Sequence, residues 1–451
     1  MIAPLKGFPG SGNFARGVHP PGRKEMAAEA AIEDLPTPAQ IAIPLLQHTG
    51  AACEPLVKLK DTVELGQKVG DSTGFISSPV HASVNGTVAM LSVTTLPNGR
   101  HVRTVPIKTG PEQLAGEALR QEIFGGDWPT SGFDALAPEQ IAAAAHEAGL
   151  VGLGGAAFPT HVKLMRNEKR PVDALLVNGC ECEPYLASDY RLMVEAAAPI
   201  VTGALLAARA CGAKRMVIAV EDNKRPAAEA LRQAAEGTVV QVAVVRTKYP
   251  MGGERQVVPA VFRRDVPTGG LPLDVGVVVM NVGTAAALAR AVLRGKPLTH
   301  RVVSVTGAGI ARPKNLLVPV GASYADLIEY CGGLRPDAAR VIAGGPMMGF
   351  ALNALNVPVT KGTSGVVVLT HDEVRRREET ACVRCGRCVD VCPLRLVPSR
   401  MALASRYGDL ELARRYHLQA CVECGCCAYV CPAGIPLVQL MRVGKAQLVK
   451  G

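Results

Sequence analysis

Eight cysteines near the end of this 451-residue chain follow one spacing twice, each time closed by a proline. The two runs are Cys382-x2-Cys385-x2-Cys388-x3-Cys392 and Cys421-x2-Cys424-x2-Cys427-x3-Cys431. Such a run wraps three corners of an iron–sulfur cubane with one short loop, and its fourth cysteine ligates the other cluster when two clusters are present. We therefore predict two [4Fe–4S] clusters. Their ligands would be Cys382, Cys385, Cys388 and Cys431 for the first, and Cys421, Cys424, Cys427 and Cys392 for the second.

Zinc and disulfides are the alternatives for these cysteines. Structural zinc sites use four ligands in two pairs, and eight cysteines in a doubled run exceed that need. The 28 residues between Cys392 and Cys421 can form two helices that bring the runs together. Cys426 lies outside the spacing, so we expect a buried free thiol there. Arg384 and Arg387 lie inside the first run, where their charge would favour a reduced cluster.

The composition indicates a globular chain, with 48% hydrophobic and 20% charged residues. The net charge is +10, and residues 371–451 hold 13 basic against 8 acidic residues. Because no basic run carries interleaved aromatics, we expect no nucleic-acid partner, and an acidic protein or an anionic membrane surface fits better. The N-terminal stretch lacks an apolar signal-peptide core, and no apolar run is long enough to span a bilayer. We expect a protein that is soluble or peripheral on a membrane.

The region before the α/β part of the chain reads as an arm followed by a β module. Residues 1–34 are predicted to be an extended, poorly ordered arm. Residues 35–134 contain short apolar runs, and Asn85-Gly86 predicts a hairpin turn. This module resembles a biotinyl/lipoyl hammerhead, or barrel-sandwich hybrid. Its tip, His81-Ala82-Ser83, has no carrier lysine, so a structural module is expected rather than an active carrier.

Residues 135–298 alternate strands and helices, which favours a parallel sheet covered on both faces. ALLVNG (174–179) is a predicted strand, and LMVEAAAPIVTGALLAARACGA is predicted as one long helix. Residues 299–350 indicate a small β-grasp unit with two strands, a helix and a further strand. A linker is expected at 351–375, an α-helical two-cluster ferredoxin-like domain at 376–440, and a tail at 441–451. The fold class is therefore multidomain α/β.

A glycine-rich loop opens the α/β region. Gly152-x-Gly154-Gly155-Ala156 nearly matches a dinucleotide fingerprint, which should follow a strand and open a helix. Here a predicted helix precedes it and Pro159 follows, so the ordinary fingerprint is not expected. Two interpretations are open. The glycines cap a helix, or the missing Cβ atoms let a planar or phosphorylated ligand approach the backbone.

Four patterns in order, GxGGAxFPTxxK, VNxxExEP, YPxGGE and NVxT, resemble the flavin/NADH subunit of respiratory complex I. The chain also has a hammerhead before these patterns and a doubled cysteine run after the β-grasp (SLBB-like) unit. These two features point to a more specific family. From about residue 15 to 440 the chain resembles the C subunits of Rnf (Rsx) ion-translocating electron transport complexes.

The resemblance implies a role for each matching position. Gly152, Gly154, Gly155 and Ala156 would line non-covalent FMN, Lys163 would meet its phosphate, and Asn178 would hydrogen-bond the flavin. Glu181 and Glu183 match the two glutamates of the second pattern, with Glu183 a candidate for contacting NADH hydroxyls. Tyr249 and Glu254 match the third pattern, and Asn281 and Thr284 the fourth, near the phosphate or ribityl chain.

Four positions depart from the complex I pattern. Gly253 replaces a glutamate of the third pattern, while Met280 and Gly283 replace an asparagine and a glutamate of the fourth. These changes loosen the polar cage around flavin and NADH. Cys180 takes the place of an aspartate. Because Cys180 and Cys182 point to opposite faces of an extended segment, a shared metal or disulfide is not expected.

The resemblance implies an NADH-dependent oxidoreductase subunit on the cytoplasmic face of the inner membrane. It would exchange electrons between NAD(H) and the membrane subunits of the Rnf/Rsx complex, which couples the transfer to ion translocation. An acidic ferredoxin or flavodoxin is a further expected partner. A flavin would link NAD(H) to the clusters, because a hydride carries two electrons and a cluster accepts one. A soluble cobalamin reductase and a relay subunit that binds no nicotinamide are the alternatives.

Overall fold

The computed structural model describes residues 7–374 and 378–450, without the side chains of residues 449 and 450. Residues 1–6 of the predicted arm, the predicted boundary at 375–376 and residue 451 of the predicted tail lie outside this description.

The arm is ordered from residue 7, so the prediction of a poorly ordered segment is wrong there. Its backbone runs so close to the α/β domain that a Cβ atom on Gly10 would lie 2.0 Å from the Ala260 carbonyl oxygen. Further on, the Gly17 N–H donates to the Val391 carbonyl (3.0 Å) in the cluster domain. The arm includes a short 3-10 helix (Lys24–Met26) and ends in strand β1 (Ile32–Asp34), which pairs in parallel with residues 315–317. These contacts tie three domains together.

The hammerhead module consists of two small antiparallel sheets around one aliphatic core. Its strands are β2 (Gln40–Pro44), β3 (Glu54–Pro55), β4 (Thr62–Val63), β5 (Lys68–Asp71), β6 (Val80–His81), β7 (Gly86–Val88), β8 (Ser92–Thr95) and β9 (His101–Thr109). The first sheet has the order β2-β9-β7-β4, with β8 also paired to β9, and the second has the order β3-β5-β6.

Two predictions about this module are settled by its geometry. His81, Ala82 and Ser83 are buried, so the tip cannot act as a swinging carrier. The hairpin predicted at Asn85-Gly86 is wrong, because β6 and β7 belong to different sheets. Asn85 instead accepts a hydrogen bond from the Leu65 N–H (2.7 Å), which fixes the crossing between the sheets.

The α/β domain is built on a parallel sheet with the order β12-β11-β10-β13. Its elements are α1 (Gly116–Ile123), α2 (Pro138–Glu147), α3 (Thr160–Leu164), β10 (Ala174–Gly179), α4 (Ser188–Glu195), α5 (Ala197–Cys211), β11 (Arg215–Glu221), α6 (Arg225–Ala234), β12 (Val240–Val245), α7 (Glu254–Phe262), β13 (Val277–Asn281) and α8 (Val282–Arg294), with 3-10 turns at Phe133–Ala135 and Pro272–Val275. Helix α1 contributes Leu119 to this domain's core, so the predicted hammerhead boundary at 134 lies too far along the chain.

The single long helix predicted after β10 is two helices. Ala196 leaves helical geometry (φ −139°, ψ 48°), and α4 and α5 are bent by 95°. Pro199, in the first turn of α5, has no N–H to continue the hydrogen-bond ladder of α4. Within the described residues no single helix is long and apolar enough to cross a membrane. Among these residues, only α4 and α5 taken together have the required length and composition, and they are sharply bent.

The third domain is a mixed sheet with one helix. Its elements are β14 (His300–Thr306), β15 (Lys314–Pro319), α9 (Tyr324–Tyr330), β16 (Ala338–Ala343), β17 (Phe350–Ala351) and β18 (Gly365–Thr370). The sheet order is β1-β15-β14-β18-β16-β17. Strand β18 lies between β14 and β16 and is almost fully buried, so the linker predicted at 351–375 is wrong. Its run Gly-Val-Val-Val-Leu-Thr is apolar on both faces, as an internal strand requires.

The C-terminal domain is a group of short helices. They are α10 (Arg387–Asp390), α11 (Pro398–Arg406), α12 (Leu410–Arg415), a 3-10 turn (Leu418–Ala420), α13 (Cys426–Tyr429) and α14 (Leu437–Lys450). The predicted tail at 441–451 is wrong for residues 441–450, because they continue α14. That helix packs on α11 through Met441, which is 1% exposed.

Candidate functional site

The parallel sheet has a topological switch point between β10 and β13. From β10 the chain proceeds to β11 and β12 on one side, whereas β13 adds on the other side. Asn178 and Asn281 are register partners at the carboxyl ends of these two strands. In open α/β sheets, ligands bind in the crevice at such a point.

The glycine loop borders this crevice and offers unpaired backbone donors. Within the described residues, the N–H groups of Gly154, Gly155 and Ala156 have no hydrogen-bond partner. Gly155 has φ +104°, and a Cβ atom there would meet no atom within 4 Å, so the space beside the loop is open. Consecutive free N–H groups form a concave site for an anionic or polar ligand. The arrangement supports the ligand-binding interpretation of the loop rather than a simple helix cap.

The loop is attached to the start of α8. The Leu153 N–H donates to the Thr284 hydroxyl (2.9 Å), and a Cβ atom on Gly154 would lie 3.5 Å from Asn281. Asn281 caps α8 by accepting from the Gly283 N–H (2.8 Å). A helix N-terminus next to free backbone donors suits a phosphate group. Gly283 also keeps this entrance uncrowded, since a Cβ there would lie 3.1 Å from the Asn281 side-chain oxygen.

Lys163 and Glu254 meet below the crevice. The Lys163 ammonium donates to Glu254 Oε1 (3.0 Å) and to the Val279 carbonyl (3.1 Å) of β13. Both side chains are about one-third exposed, so solvent reaches the pair. Asn178 donates to the Gly252 carbonyl (2.8 Å) in the loop before α7, which brings the third pattern to the same edge.

Glu181 turns away from the crevice. Its carboxylate accepts from the Asp189 and Tyr190 N–H groups (2.8 and 3.1 Å) and caps α4. Asp189 lies on the crevice side, where it accepts from the Asn281 amide (2.7 Å). Burial, with the Glu181 charge nearby, raises the pKa of Asp189 to about 7. Sequence reasoning missed Asp189 as a site residue, although it lies in the serine-aspartate pair that opens α4.

The Cys180–Leu186 loop is held by two lysines from distant parts of the chain. Lys24 donates to the carbonyls of Glu181 (2.9 Å) and Glu183 (2.8 Å). Lys224 donates to the Cys180 carbonyl (2.9 Å) and to Glu221 (2.6 Å). Glu181 adopts φ +33°, a strained value that these bonds enforce. No feature of the sequence around Lys24 or Lys224 indicated this role.

Glu183 has another partner than the one predicted. Its two carboxylate oxygens accept from the backbone N–H groups of Met347 (3.1 Å) and Met348 (2.9 Å), between β16 and β17. Gly345 leaves room for the carboxylate, since a Cβ there would lie 2.3 Å from it. Burial raises the pKa of Glu183 to about 7. Glu183 therefore joins the α/β and third domains in this structure. Its contact with NADH hydroxyls stays a prediction.

Cys180 and Cys182 pack rather than pair. Cys180 is fully buried beneath the sheet end, and burial raises its pKa well above the ordinary value. Cys182 accepts from the Gly252 N–H (3.3 Å) and packs beside Tyr249, Met347 and Cys424.

Tyr249 connects the α/β domain to the cluster domain. It is 2% exposed, and its hydroxyl donates to the Cys424 carbonyl (2.7 Å). Cys426 is 1% exposed and packs in the same cluster of side chains, as expected for a buried thiol. The third domain closes the junction, because a Cβ atom on Gly425 would lie 2.5 Å from the Met347 carbonyl oxygen.

The second predicted cluster site is assembled across both cysteine runs. One cavity is lined by Cys392 from the first run and by Cys421, Cys424 and Cys427 from the second. Leu396, Met401, Val438 and Met441 line its walls. Cys426, which lies outside the predicted ligand set, also lines the cavity. The other four thiols, one from the first run and three from the second, fit the crossed ligation predicted for this cluster.

The first predicted cluster site lies at the surface. Cys382 and Cys385 are exposed, and Cys388 and Cys431 are partly buried. The Thr380 N–H donates to the Ala433 carbonyl (3.0 Å), which places the start of the first run beside the end of the second. Within the described residues, no group of three or more His, Cys, Asp or Glu side chains converges on a single metal ion.

The structure thus brings most of the predicted flavin residues to one edge of the sheet. The group at the crevice comprises Gly152, Gly154, Gly155, Ala156, Lys163, Asn178, Glu254, Asn281 and Thr284. Glu181, Glu183 and Tyr249 face α4, the third domain and the cluster domain respectively. When bound, FMN would lie against the glycine loop and the ends of β10 and β13.

Four family models match successive parts of the chain. They are the RnfC barrel sandwich hybrid domain at residues 12–112, the Nuo51 FMN-binding domain at 145–290, the SLBB domain at 302–351 and the 4Fe-4S dicluster domain at 378–435. They agree with the hammerhead, the parallel-sheet domain, the third domain and the cysteine-rich domain described above. These family matches confirm the predicted fold class and the two predicted cofactor types, FMN and [4Fe–4S] clusters.

Curated relatives match nearly the whole chain. The C component of the Na+-translocating ferredoxin:NAD+ oxidoreductase complex of Acetobacterium woodii is 41% identical, with 97% of each chain covered. The C component of the ion-translocating oxidoreductase complex of Rhodobacter capsulatus is 42% identical over 99% of this chain and 85% of its own length. The proton-translocating counterpart of Clostridium ljungdahlii is 40% identical over 87% of this chain and 84% of its own. A solved NAD+-reducing [NiFe]-hydrogenase chain aligns at 21% identity with a TM-score of 0.47 over 74% of this chain and 66% of its own, too distant to carry an argument. Because these curated relatives match along most of their own length and the domain order agrees, the chain belongs to the RnfC family, the C subunits of ion-translocating oxidoreductase complexes.

Proposed function

We propose that this chain exchanges electrons between NAD(H) and the membrane subunits of an Rnf-type complex, through FMN and two [4Fe–4S] clusters. The main support for this proposal is the junction between the crevice and the second-run cysteines. The Tyr249 hydroxyl donates to the Cys424 carbonyl. Gly252, three residues after Tyr249 in the loop before α7, accepts from the Asn178 amide. Crevice and cluster cavity are thereby joined by one packed segment.

The residues at the crevice divide the work of holding the cofactor. The free N–H groups of the glycine loop and the start of α8 suit the phosphate and polar chain of FMN. Lys163 would leave Glu254 to add a positive charge. When bound, FMN supplies the change from a two-electron hydride to single electrons. The chain positions that chemistry beside the switch point and keeps the route to Cys424 packed and dry.

The exposure of the cysteines supports an order for the two clusters. The second-run cavity adjoins Tyr249, Cys182 and Met347, so its cluster would exchange electrons with the flavin site. The exposed Cys382 and Cys385 place the first-run cluster at the surface, where a partner can approach. Val383, between them, is 65% exposed, and Arg384 and Arg387 lie next to it in the run. The first-run loop is therefore the exit toward an acidic electron-carrying protein or subunit, at the cytoplasmic face of the membrane.

A relay without nicotinamide is the second candidate. It is favoured by the occupation of both Glu183 oxygens and by the glycines at positions 253 and 283, which leave fewer groups for a nicotinamide ribose. Both functions need the same clusters and differ only in whether NADH reacts at the crevice.

Purification of the tagged chain from solubilised membranes tests the proposal. We expect integral membrane subunits to co-purify and NADH to reduce the complex. Co-purification without a response to NADH would support the relay. Isolation of the chain alone, with rapid reduction of cob(II)alamin, would instead support a soluble cobalamin reductase and contradict the proposal.

A further inference from the structure

The hammerhead carries an apolar surface that no other part of the described chain covers. Four aliphatic side chains on it are unusually exposed, with Leu56 at 57%, Leu59 at 54%, Met90 at 75% and Val93 at 64%. Scattered apolar residues are common on protein surfaces. These four, however, come from two short segments, residues 54–60 and 88–103, that are bonded to each other.

The two segments form one continuous surface, here called the hammerhead patch. At one end, the Lys60 N–H donates to the Val88 carbonyl (2.9 Å), two residues before Met90. At the other end, Val93 on β8 is the cross-strand partner of Arg103 on β9, so both side chains lie on the same face. Arg103 in turn pairs with Glu54 (2.9 Å), two residues before Leu56. The chain thus closes a ring of contacts around the four aliphatic side chains.

The hammerhead patch is basic. Its two segments contain the cations Lys58, Lys60, Arg100 and Arg103 and the carboxylate Glu54. Asp61 directly follows the first segment and accepts from the Lys58 N–H (2.9 Å), so four cations stand against two carboxylates. Arg103 is paired with Glu54, and among the ion pairs of the described residues none involves the other three cations. Lys58 and Lys60 directly flank Leu59 in the sequence, and Leu56 lies two residues before Lys58.

The side-chain types separate a lipid surface from a protein partner. Protein interfaces are depleted in lysine. The patch segments instead place two lysines, Lys58 and Lys60, on either side of Leu59. At an anionic bilayer, aliphatic side chains enter the headgroup boundary while lysines reach the phosphates. We infer that the hammerhead patch binds the chain directly to the anionic lipid surface of the membrane.

This binding would orient the chain on the bilayer independently of its protein partners. Neither the crevice nor the cysteine runs belong to the patch, so lipid binding does not depend on electron transfer. The inference therefore succeeds or fails separately from the proposed function.

Vesicle flotation of the cofactor-loaded full chain tests it. The probes are vesicles of phosphatidylcholine alone and of phosphatidylcholine with phosphatidylglycerol. We expect flotation only with the anionic vesicles, and less of it at high salt, because exposed charges are screened. Lys58→Gln/Lys60→Gln should weaken binding about 25-fold, from about fivefold for each lysine near an anionic surface. Leu59→Ser/Met90→Ser should weaken it at least as strongly.

Two matched variants control for nonspecific effects. Val239→Ser removes an aliphatic side chain that is 65% exposed elsewhere, and Lys169→Gln/Lys214→Gln removes two exposed lysines outside the patch. Both should float like the wild type, with the FMN and iron contents of all variants unchanged. A wild-type chain that stays unbound to anionic vesicles would overturn the inference, as would patch variants that still float. Loss of membrane subunits from the patch variants, without vesicle binding by the wild type, would identify a protein interface instead.

Discussion

The hydroxyl of Tyr249 lies 2.7 Å from the carbonyl oxygen of Cys424, to which it donates a hydrogen bond. One residue belongs to the loop that faces the flavin crevice, and the other is a predicted ligand of the second-run cluster. The contact spans 175 positions of sequence and defines where the two redox halves of the chain meet.

Tyr249→Phe removes this bond while keeping the ring. The Cys424 carbonyl would lose its donor, which costs about 1 kcal/mol of unfolding free energy. We expect unchanged FMN content but slower electron exchange with the second-run cluster, measured by stopped-flow absorbance. Tyr407→Phe is the control, because that ring lies in the cluster domain but is 77% exposed. Equal cluster kinetics in both variants would show that the Tyr249 hydroxyl does not hold the junction.

Cys392→Ser and Cys431→Ser test the crossed ligation. Because Cys392 lines the cavity of the second-run cysteines, its loss should perturb the second-run cluster and leave the first. Cys431→Ser should do the reverse. Electron paramagnetic resonance with iron analysis distinguishes the clusters. If Cys392→Ser affected only the first-run cluster, each run would hold its own four ligands.

Glu183→Gln should change the pH dependence of stability. Burial raises the pKa of the folded carboxyl from 4.5 to about 7, so the folded state keeps a proton that the unfolded state releases. Wild-type stability therefore falls as pH rises through this window and levels off above it. Glutamine does not titrate, so the stability advantage of the wild type should shrink by about 1–3 kcal/mol across the window. Denaturant unfolding at several pH values measures this, with the exposed Glu139→Gln as control. A constant difference would contradict the buried position of Glu183.

Lys224→Met should destabilise the loop that leads from β10. Lys224 and Glu221 are 2% and 1% exposed and 2.6 Å apart. Removing one partner of a buried pair costs about 3–5 kcal/mol, because a buried charge is left unpaired. Glu221→Leu/Lys224→Met should recover part of that loss in thermal unfolding. A double variant less stable than Lys224→Met would mean that Glu221 contributes by other contacts than Lys224.

Gly155→Ala tests the cofactor cradle. The new methyl group would enter the open space beside the loop, and φ +104° disfavours any side chain. Gly237→Ala imposes a similar backbone cost at φ +74°, also in open space, but outside the crevice. FMN released on denaturation should fall for Gly155→Ala only. Equal losses would indicate general destabilisation rather than a cofactor site.

The parts that sequence predicted well are those fixed by neighbouring residues. The cysteine runs, the strand ending at Asn178 and the strand–helix junction at Asn281 are local patterns, and the parallel register then brings both asparagines together. Contacts between distant parts of the chain were not predicted. Glu183 is bound by Met347 and Met348, more than 160 positions away, and nothing local indicates that.

The predictions of a poorly ordered arm and of a linker at 351–375 were wrong for the same reason. The order of the arm comes from distant parts of the chain, through backbone bonds to Ala260, Val261 and Val391 and through Phe8 and Phe14, which pack against the α/β core. Strand β18 reads as a short isolated apolar run, and it becomes central only because β14 and β16 flank it in the folded sheet.

In the proposed function, electrons pass between NADH and the second-run cluster across the Tyr249–Cys424 junction. Rapid-freeze electron paramagnetic resonance of the anaerobic, cofactor-loaded chain mixed with NADH tests it most directly. We expect the signal removed by Cys392→Ser to appear first, followed by the signal removed by Cys431→Ser. Earlier reduction of the cluster lost in Cys431→Ser would contradict it, as would clusters that dithionite reduces while NADH leaves both them and the flavin oxidised.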